Sequence, residues 1–171
     1  LLLLALVLAG CGSGSSQAQR AAAGAQPGAL ERTSTPPGPG VDWPQFLGPT
    51  RNSKSPETGI LTDWSDGKLP IVWQRQVGDG YSVPSAAGGR LFVFARHRDR
   101  ARLTCVDSLT GQEMWSSDYP TNYVDHYQYS TGPRVSPVID EDRVYTFGVE
   151  GMLRAHRVTD GELIWEVDTA E

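Results

Sequence analysis

At 171 residues the chain has room for one ordinary domain, and because it begins at Leu1 and stops at Glu171 after a strand-like segment it reads as the N-terminal piece of a longer protein. Charged residues are 20% of the total and the formal net charge is −5, so the basic footprint that nucleic acid or acidic lipid requires is missing and no nucleic-acid partner is expected. Nineteen Gly, twelve Pro, five Trp and six Tyr suit short strands joined by tight turns, which makes all-β the expected class. Cys11 and Cys105 stand in unlike surroundings, the first beside an apolar run and the second inside a strand-like stretch, which argues against a disulfide. His97, His126 and His156 show no short zinc-type spacing, so no metal site is expected.

Residues 1–9 are an almost unbroken apolar run leading into Leu8-Ala9-Gly10-Cys11. The run is too short to cross a bilayer, which takes about 20 apolar residues, and it reads as an export signal. Leu-Ala-Gly before a cysteine resembles the lipobox of bacterial lipoproteins. That resemblance implies that residues 1–11 are a lipoprotein signal peptide ending in the lipobox cysteine, that Cys11 is lipidated and anchors the chain to a membrane, and that the protein is exported to the cell envelope, facing the periplasm from the outer membrane. A buried helix followed by a plain thiol is the other reading of the same residues. Residues 12–40 are mostly Gly, Ser, Ala, Gln, Thr and Pro, a composition that cannot bury enough surface to offset its ordering entropy, so they read as a disordered linker. Folded structure is expected over 41–171.

After a lead-in at 41–70, residues 71–78 (Ile-Val-Trp-Gln-Arg-Gln-Val-Gly) look like an outer strand with no inner strands before it. An internal repeat follows, of the length that marks propellers and arrays. Val83-Pro84 matches Ser136-Pro137, Arg90 matches Arg143, and Leu91-Phe92 matches Val144-Tyr145, all at an offset of 53. Further on, Leu103 matches Leu153, Cys105 matches Ala155, Gly111 matches Gly161 and Trp115 matches Trp165, now at an offset of 50. The three extra residues fall in the charged turn 96–102, expected to be a solvated hairpin tip. Each copy predicts four short strands. In the first copy these are the stretch around Val83-Pro84, then 91–95, 103–107 and 114–115. In the second they are 134–139, 144–148, 153–157 and 163–167. A four-stranded antiparallel unit repeated at this period describes a β-propeller blade, which gives one blade over 81–116 and another over 132–168.

The segment Cys105-Val-Asp-Ser-Leu-Thr-Gly-Gln-Glu-Met-Trp115 resembles the blade motif of pyrroloquinoline-quinone (PQQ)-like repeat proteins, Ala-x-Asp-x-x-Thr-Gly-x-x-x-Trp. The resemblance spans 43–171 and implies a seven- or eight-bladed ring, of which two blades and a closing strand are present here. It assigns Asp107, Thr110 and Gly111 to the turn into the outer strand and Trp115 to docking on the neighbouring blade. It also assigns Trp73 to the docking place of a closing strand at 71–78. In the second copy Ala155, Gly161 and Trp165 keep the pattern, whereas Arg157 and Asp160 replace the Asp and Thr.

Two places qualify for ligand chemistry. The connection 116–131 carries Tyr119, Tyr123, Asp125, His126, Tyr127 and Tyr129, which either shape a pocket or pack a long crossover. Tyr81 and Arg134 occupy matching approaches to the inner strands, where Arg134 either holds an anionic group or bridges blades by a salt link. Tyr81, His126, Tyr127 and Arg134 are therefore the candidate ligand-binding residues. Asp140-Glu141-Asp142 faces Ala87-Gly88-Gly89 in the alignment and reads as a hairpin turn, not a calcium site. No nucleophile elbow, phosphate loop or catalytic dyad is visible, so no catalytic residue is assigned. The resemblance leaves two functions open. One is a membrane-anchored scaffold that binds protein or small-molecule partners at the propeller end, similar to the propeller lipoprotein of the outer-membrane barrel assembly machinery. The other is a quinoprotein dehydrogenase oxidising an alcohol or sugar with PQQ and calcium as cofactors.

Overall fold

The computed structural model describes residues 40–60 and 71–170; the expected signal and lipidation site at Cys11, the linker up to residue 39, and residues 61–70 of the lead-in lie outside the described residues. Two antiparallel four-stranded sheets make up the regular structure. The first comprises β1 (Ser85–Ala87), β2 (Arg90–His97), β3 (Arg100–Asp107) and β4 (Glu113–Pro120). The second comprises β5 (Val138–Asp140), β6 (Arg143–Phe147), β7 (Met152–Arg157) and β8 (Leu163–Asp168). Each sheet is ordered as in sequence, an up-and-down meander, and there is no helix among the described residues.

Period-two patterning explains the first sheet. Phe92 and Phe94 of β2 pair across from Cys105 and Leu103 of β3, so all four side chains share one face and all are buried. Gly88 and Gly89, both at positive φ, make the two-residue turn between β1 and β2, a conformation in which a β-carbon is costly. Glu141 and Asp142 occupy the matching turn between β5 and β6. Both sheets carry a bulge at repeat-equivalent points, between Cys105 and Val106 in one and between Ala155 and His156 in the other.

The core lies between the sheets. Phe92, Phe94, Leu103, Cys105 and Tyr119 of the first meet Ile139 and Val144 of the second, with Trp115 packed at the margin. The inner strands are shorter than the sequence suggests, because Val83-Pro84 and Ser136-Pro137 lie outside β1 and β5. Proline has no N–H for a ladder, and these residues bond between the blades instead. The Pro133 carbonyl accepts from the Tyr81 and Ser82 N–H groups at 2.8 and 3.2 Å, the Val83 N–H donates to Ser136 Oγ at 3.1 Å, and Ser85 Oγ donates to the Pro137 carbonyl at 2.6 Å.

The lead-in binds both inner strands. Trp43 exchanges two backbone hydrogen bonds with Ala86 on the free edge of β1, and the Ile139 N–H of β5 donates to the Pro44 carbonyl at 2.8 Å. Residues 71–78 form no strand among the described residues. They run instead along the face of the first sheet turned away from the second, beside Val93, Ala95 and Thr104.

Candidate functional site

The two sheets have two ends, set by the alternation of their turns. At one end lie the turns that dock one sheet on the next. The β3–β4 turn is closed by Gly111 N–H to the Asp107 carbonyl at 2.8 Å, and the β7–β8 turn by Gly161 N–H to the Arg157 carbonyl at 2.9 Å. The Asp107 carboxylate accepts from the Thr110 hydroxyl and from the Thr110 and Leu109 N–H groups, and these donors, Thr110 first, hold its pKa below the ordinary carboxylate value. In the second sheet the Arg157 guanidinium reaches both Asp160 and Glu162, so an ion pair does the work of the Asp–Thr hydrogen bonds. The departure of the second copy from the repeat pattern is thus one compensated exchange.

Over each turn sits an indole. Trp115 lies against Gly161 and donates from Nε1 to the Val158 carbonyl at 3.0 Å, while Trp73 lies against Gly111 and donates from Nε1 to the Ser108 carbonyl, also at 3.0 Å. Ser108 and Val158 are repeat equivalents, so residues 71–78 meet the first sheet as β4 meets the second. Arg75 adds an ion pair to Glu113. Trp165 packs on Tyr145 with ring centroids 6.0 Å apart, on the face of the second sheet turned away from the first.

At the opposite end the crossover from β4 to β5 folds over residues 78–81. Arg96, expected in the solvated tip, turns inward. It donates to the carbonyls of Tyr123 (2.6 Å), Thr131 (3.2 Å), Thr121 (3.3 Å) and Arg98 (2.7 Å). Its backbone exchanges two hydrogen bonds with Asp79, at 2.8 Å each. Asp125, its side chain only 2% exposed, accepts from the N–H groups of Tyr129 (2.8 Å), Ser130 (3.1 Å) and Tyr127 (3.3 Å) and pairs with Arg134 at 3.3 Å. These donors, Ser130 first, outweigh burial and hold the Asp125 carboxyl below its ordinary pKa.

Between the crossover and residues 78–81 lies a cleft of about 560 Å³ lined by Asp79, Tyr81, Asp125, Gln128, Tyr129 and Ser130 among others. Of the four candidate ligand residues, Tyr81 lines this cleft and its hydroxyl approaches the Tyr129 carbonyl at 3.4 Å. Tyr127 stacks on Tyr129 at the rim, with centroids 6.2 Å apart and planes at 22°. Arg134 joins the site through Asp125, whereas His126 is exposed beside it without lining the cleft. Sequence reasoning missed Arg96 and passed over Asp125 as one residue of an aromatic loop. Arg96 grips only main-chain carbonyls, which carry no residue signature; the Asp125 turn had a signal in the Asp-x-x-x-Tyr-Ser spacing.

The family model described as outer membrane protein assembly factor BamB, a PQQ-type repeat model, matches residues 56–171. The chain belongs to this family of PQQ-like β-propellers. No curated protein matches it. Among solved structures, quinohemoprotein alcohol dehydrogenase from Comamonas testosteroni is 21% identical over 76% of this chain and 20% of its own, with a TM-score of 0.53. BamB from Moraxella catarrhalis is 16% identical over 54% of this chain and 23% of its own, with a TM-score of 0.37. The chain spans less than a quarter of the length of either. At these identities the likeness to the dehydrogenase shows the propeller fold alone.

Among the described residues no group of three or more His, Cys, Asp or Glu side chains is placed to hold a metal ion. Arg134 beside the cleft is engaged by Asp125, and Cys105 is a single buried thiol whose pKa burial pushes up to about 11. These residues do not by themselves fit a quinone with its calcium. The arrangement can bind: it offers phenol rings, hydroxyls, an amide and the Asp79 side chain beside a loop that is held in place.

Proposed function

We infer that the chain is part of a membrane-anchored propeller of the cell envelope that acts as a binding or assembly scaffold. One observation carries this reading. Two charged side chains turned inward, Arg96 and Asp125, order a crossover whose Tyr127 and Tyr129 face solvent at the loop end. Ordering a loop in advance lowers the cost of binding. The family description, outer membrane protein assembly factor, supports the envelope setting. Lipidation of Cys11 would supply the anchor and residues 12–40 the tether. The oxidoreductase reading has no residue to carry it among those described.

The test uses the full-length protein in its own cells, with a photo-crosslinking residue in place of Arg98 at the loop end or of Leu109 at the docking end. Crosslinks to envelope proteins from position 98, and release of a Cys11→Ser variant from the membrane fraction, are expected. No crosslink from the loop end, together with dye-linked alcohol oxidation once PQQ and calcium are added, would overturn the scaffold.

A further inference from the structure

The crossover between β4 and β5 combines two properties that rarely coincide. Its backbone is tied at both limbs, by Arg96 to the carbonyls of 121, 123 and 131 and by Asp125 to the N–H groups of 127, 129 and 130. Its large side chains nevertheless project into solvent. Val124 is 76% exposed, Tyr127 78%, Tyr129 75%, and Tyr81 across the cleft 59%. A loop that only filled space between blades would bury those rings, since an aromatic side chain hides about 150–250 Å² when covered. Rigid, exposed, clustered tyrosines are what interfaces use, because a ring with two torsions gives large contact area at small entropic cost.

We propose that Tyr81, Tyr127 and Tyr129 form a docking platform for an extended, uncharged, proline-containing segment of a partner protein. This rests on the scaffold reading and names what that scaffold grips. Charge selects the occupant first. Asp125 and Arg134 neutralise each other, leaving Asp79 as the other acidic residue lining the cleft, so a strongly acidic segment is disfavoured and a strongly basic one finds a single partner. Hydrogen bonding selects it second. A polyproline-type segment has every carbonyl unpaired and few N–H groups. The cleft matches that, with Gln128, Ser130 and Thr131 as donors and Asp79 as the acceptor. Aromatic-lined grooves take such segments because little ordering entropy remains to be lost.

The experiment is a fluorescence-anisotropy titration of the full-length protein with a fluorescein-labelled heptapeptide, Ala-Pro-Pro-Leu-Pro-Pro-Ala. A version carrying Asp in place of Leu and the oligosaccharide chitohexaose serve as competitors. Saturable binding is expected, weakened about tenfold or more by the Tyr127→Ala/Tyr129→Ala double substitution and retained by the corresponding Phe double variant. These rings are exposed, so the variants keep the fold. No saturable binding, or equal binding by the Ala double variant, overturns the platform. Displacement by chitohexaose but not by unlabelled peptide overturns the occupant in favour of a glycan. If the peptide fails while position 98 still crosslinks to envelope proteins, the platform falls and the scaffold stands; if both fail, the scaffold reading falls with it.

Discussion

His156 is 1% exposed at the interface between the sheets, with Nε2 3.1 Å from Ser117 Oγ. Burial first, and the nearby Arg154 charge second, lower its pKa to about 4. The folded protein therefore holds it neutral while the unfolded chain protonates it below about pH 6.5. The unfolded state binds the extra proton between those two values, so stability is full above about pH 6.5, falls as pH drops through the window, and levels off below about 4. The loss is about 3 kcal/mol at most. Urea midpoints of the full-length protein at pH 7.5 and 4.5 should differ less in a His156→Val variant, which installs the residue type found at the repeat-equivalent Val106. An unchanged difference would mean that His156 is not the group responsible.

At the scale of the element, the docking turn is the unit that repeats. A β-carbon on Gly161 would lie 2.4 Å from Trp115 Cε3, and φ there is 75°. Gly89 has a similar φ of 73° but nothing within 4 Å. An alanine at either position carries the left-handed backbone penalty of about 1 kcal/mol. Gly161→Ala should also displace the indole and its hydrogen bond, adding about 2 kcal/mol. Chemical denaturation of both variants isolates the docking term as the difference between them, and equal losses would remove the indole from the account. This turn was legible in the sequence because it depends on residue types, Gly and Trp, recurring at an offset of 50. The crossover was less so. Its aromatic residues could be read, but their exposure could not, because it follows from Arg96 hydrogen bonds to main-chain carbonyls. The inner strands were overextended for a related reason, since the repeat through Val83-Pro84 and Ser136-Pro137 does not reveal that these prolines move the bonding between blades.

For the whole molecule the two sheets differ in what covers them. On the first, Phe92, Phe94, Leu103 and Cys105 are at most 2% exposed beneath the second sheet. Of their repeat equivalents on the face shared with Trp165 and Val167, Ala155 is buried and Tyr145 and Leu153 are half-buried, but Phe147 is 38% and Val167 50% exposed. The same pattern is therefore fully covered once and partly open once. Leaving such a face in water forgoes the gain that holds the first pair of sheets together, roughly 25 cal/mol per Å² of apolar surface. A polypeptide of residues 41–171 alone is thus expected to self-associate through this face at micromolar concentrations. Light scattering should detect the association, and Phe147→Glu with Val167→Lys should reduce it, because charges on an open sheet face resist stacking. The pair is chosen on the open face so that the buried Phe92–Leu103 side is untouched and a loss of association reports the face and not unfolding. A cooperative monomer with the native sequence would show instead that the open face is tolerated in water, and that the seats of Trp73 and Trp115 supply enough docking energy for two sheets to stand without a third.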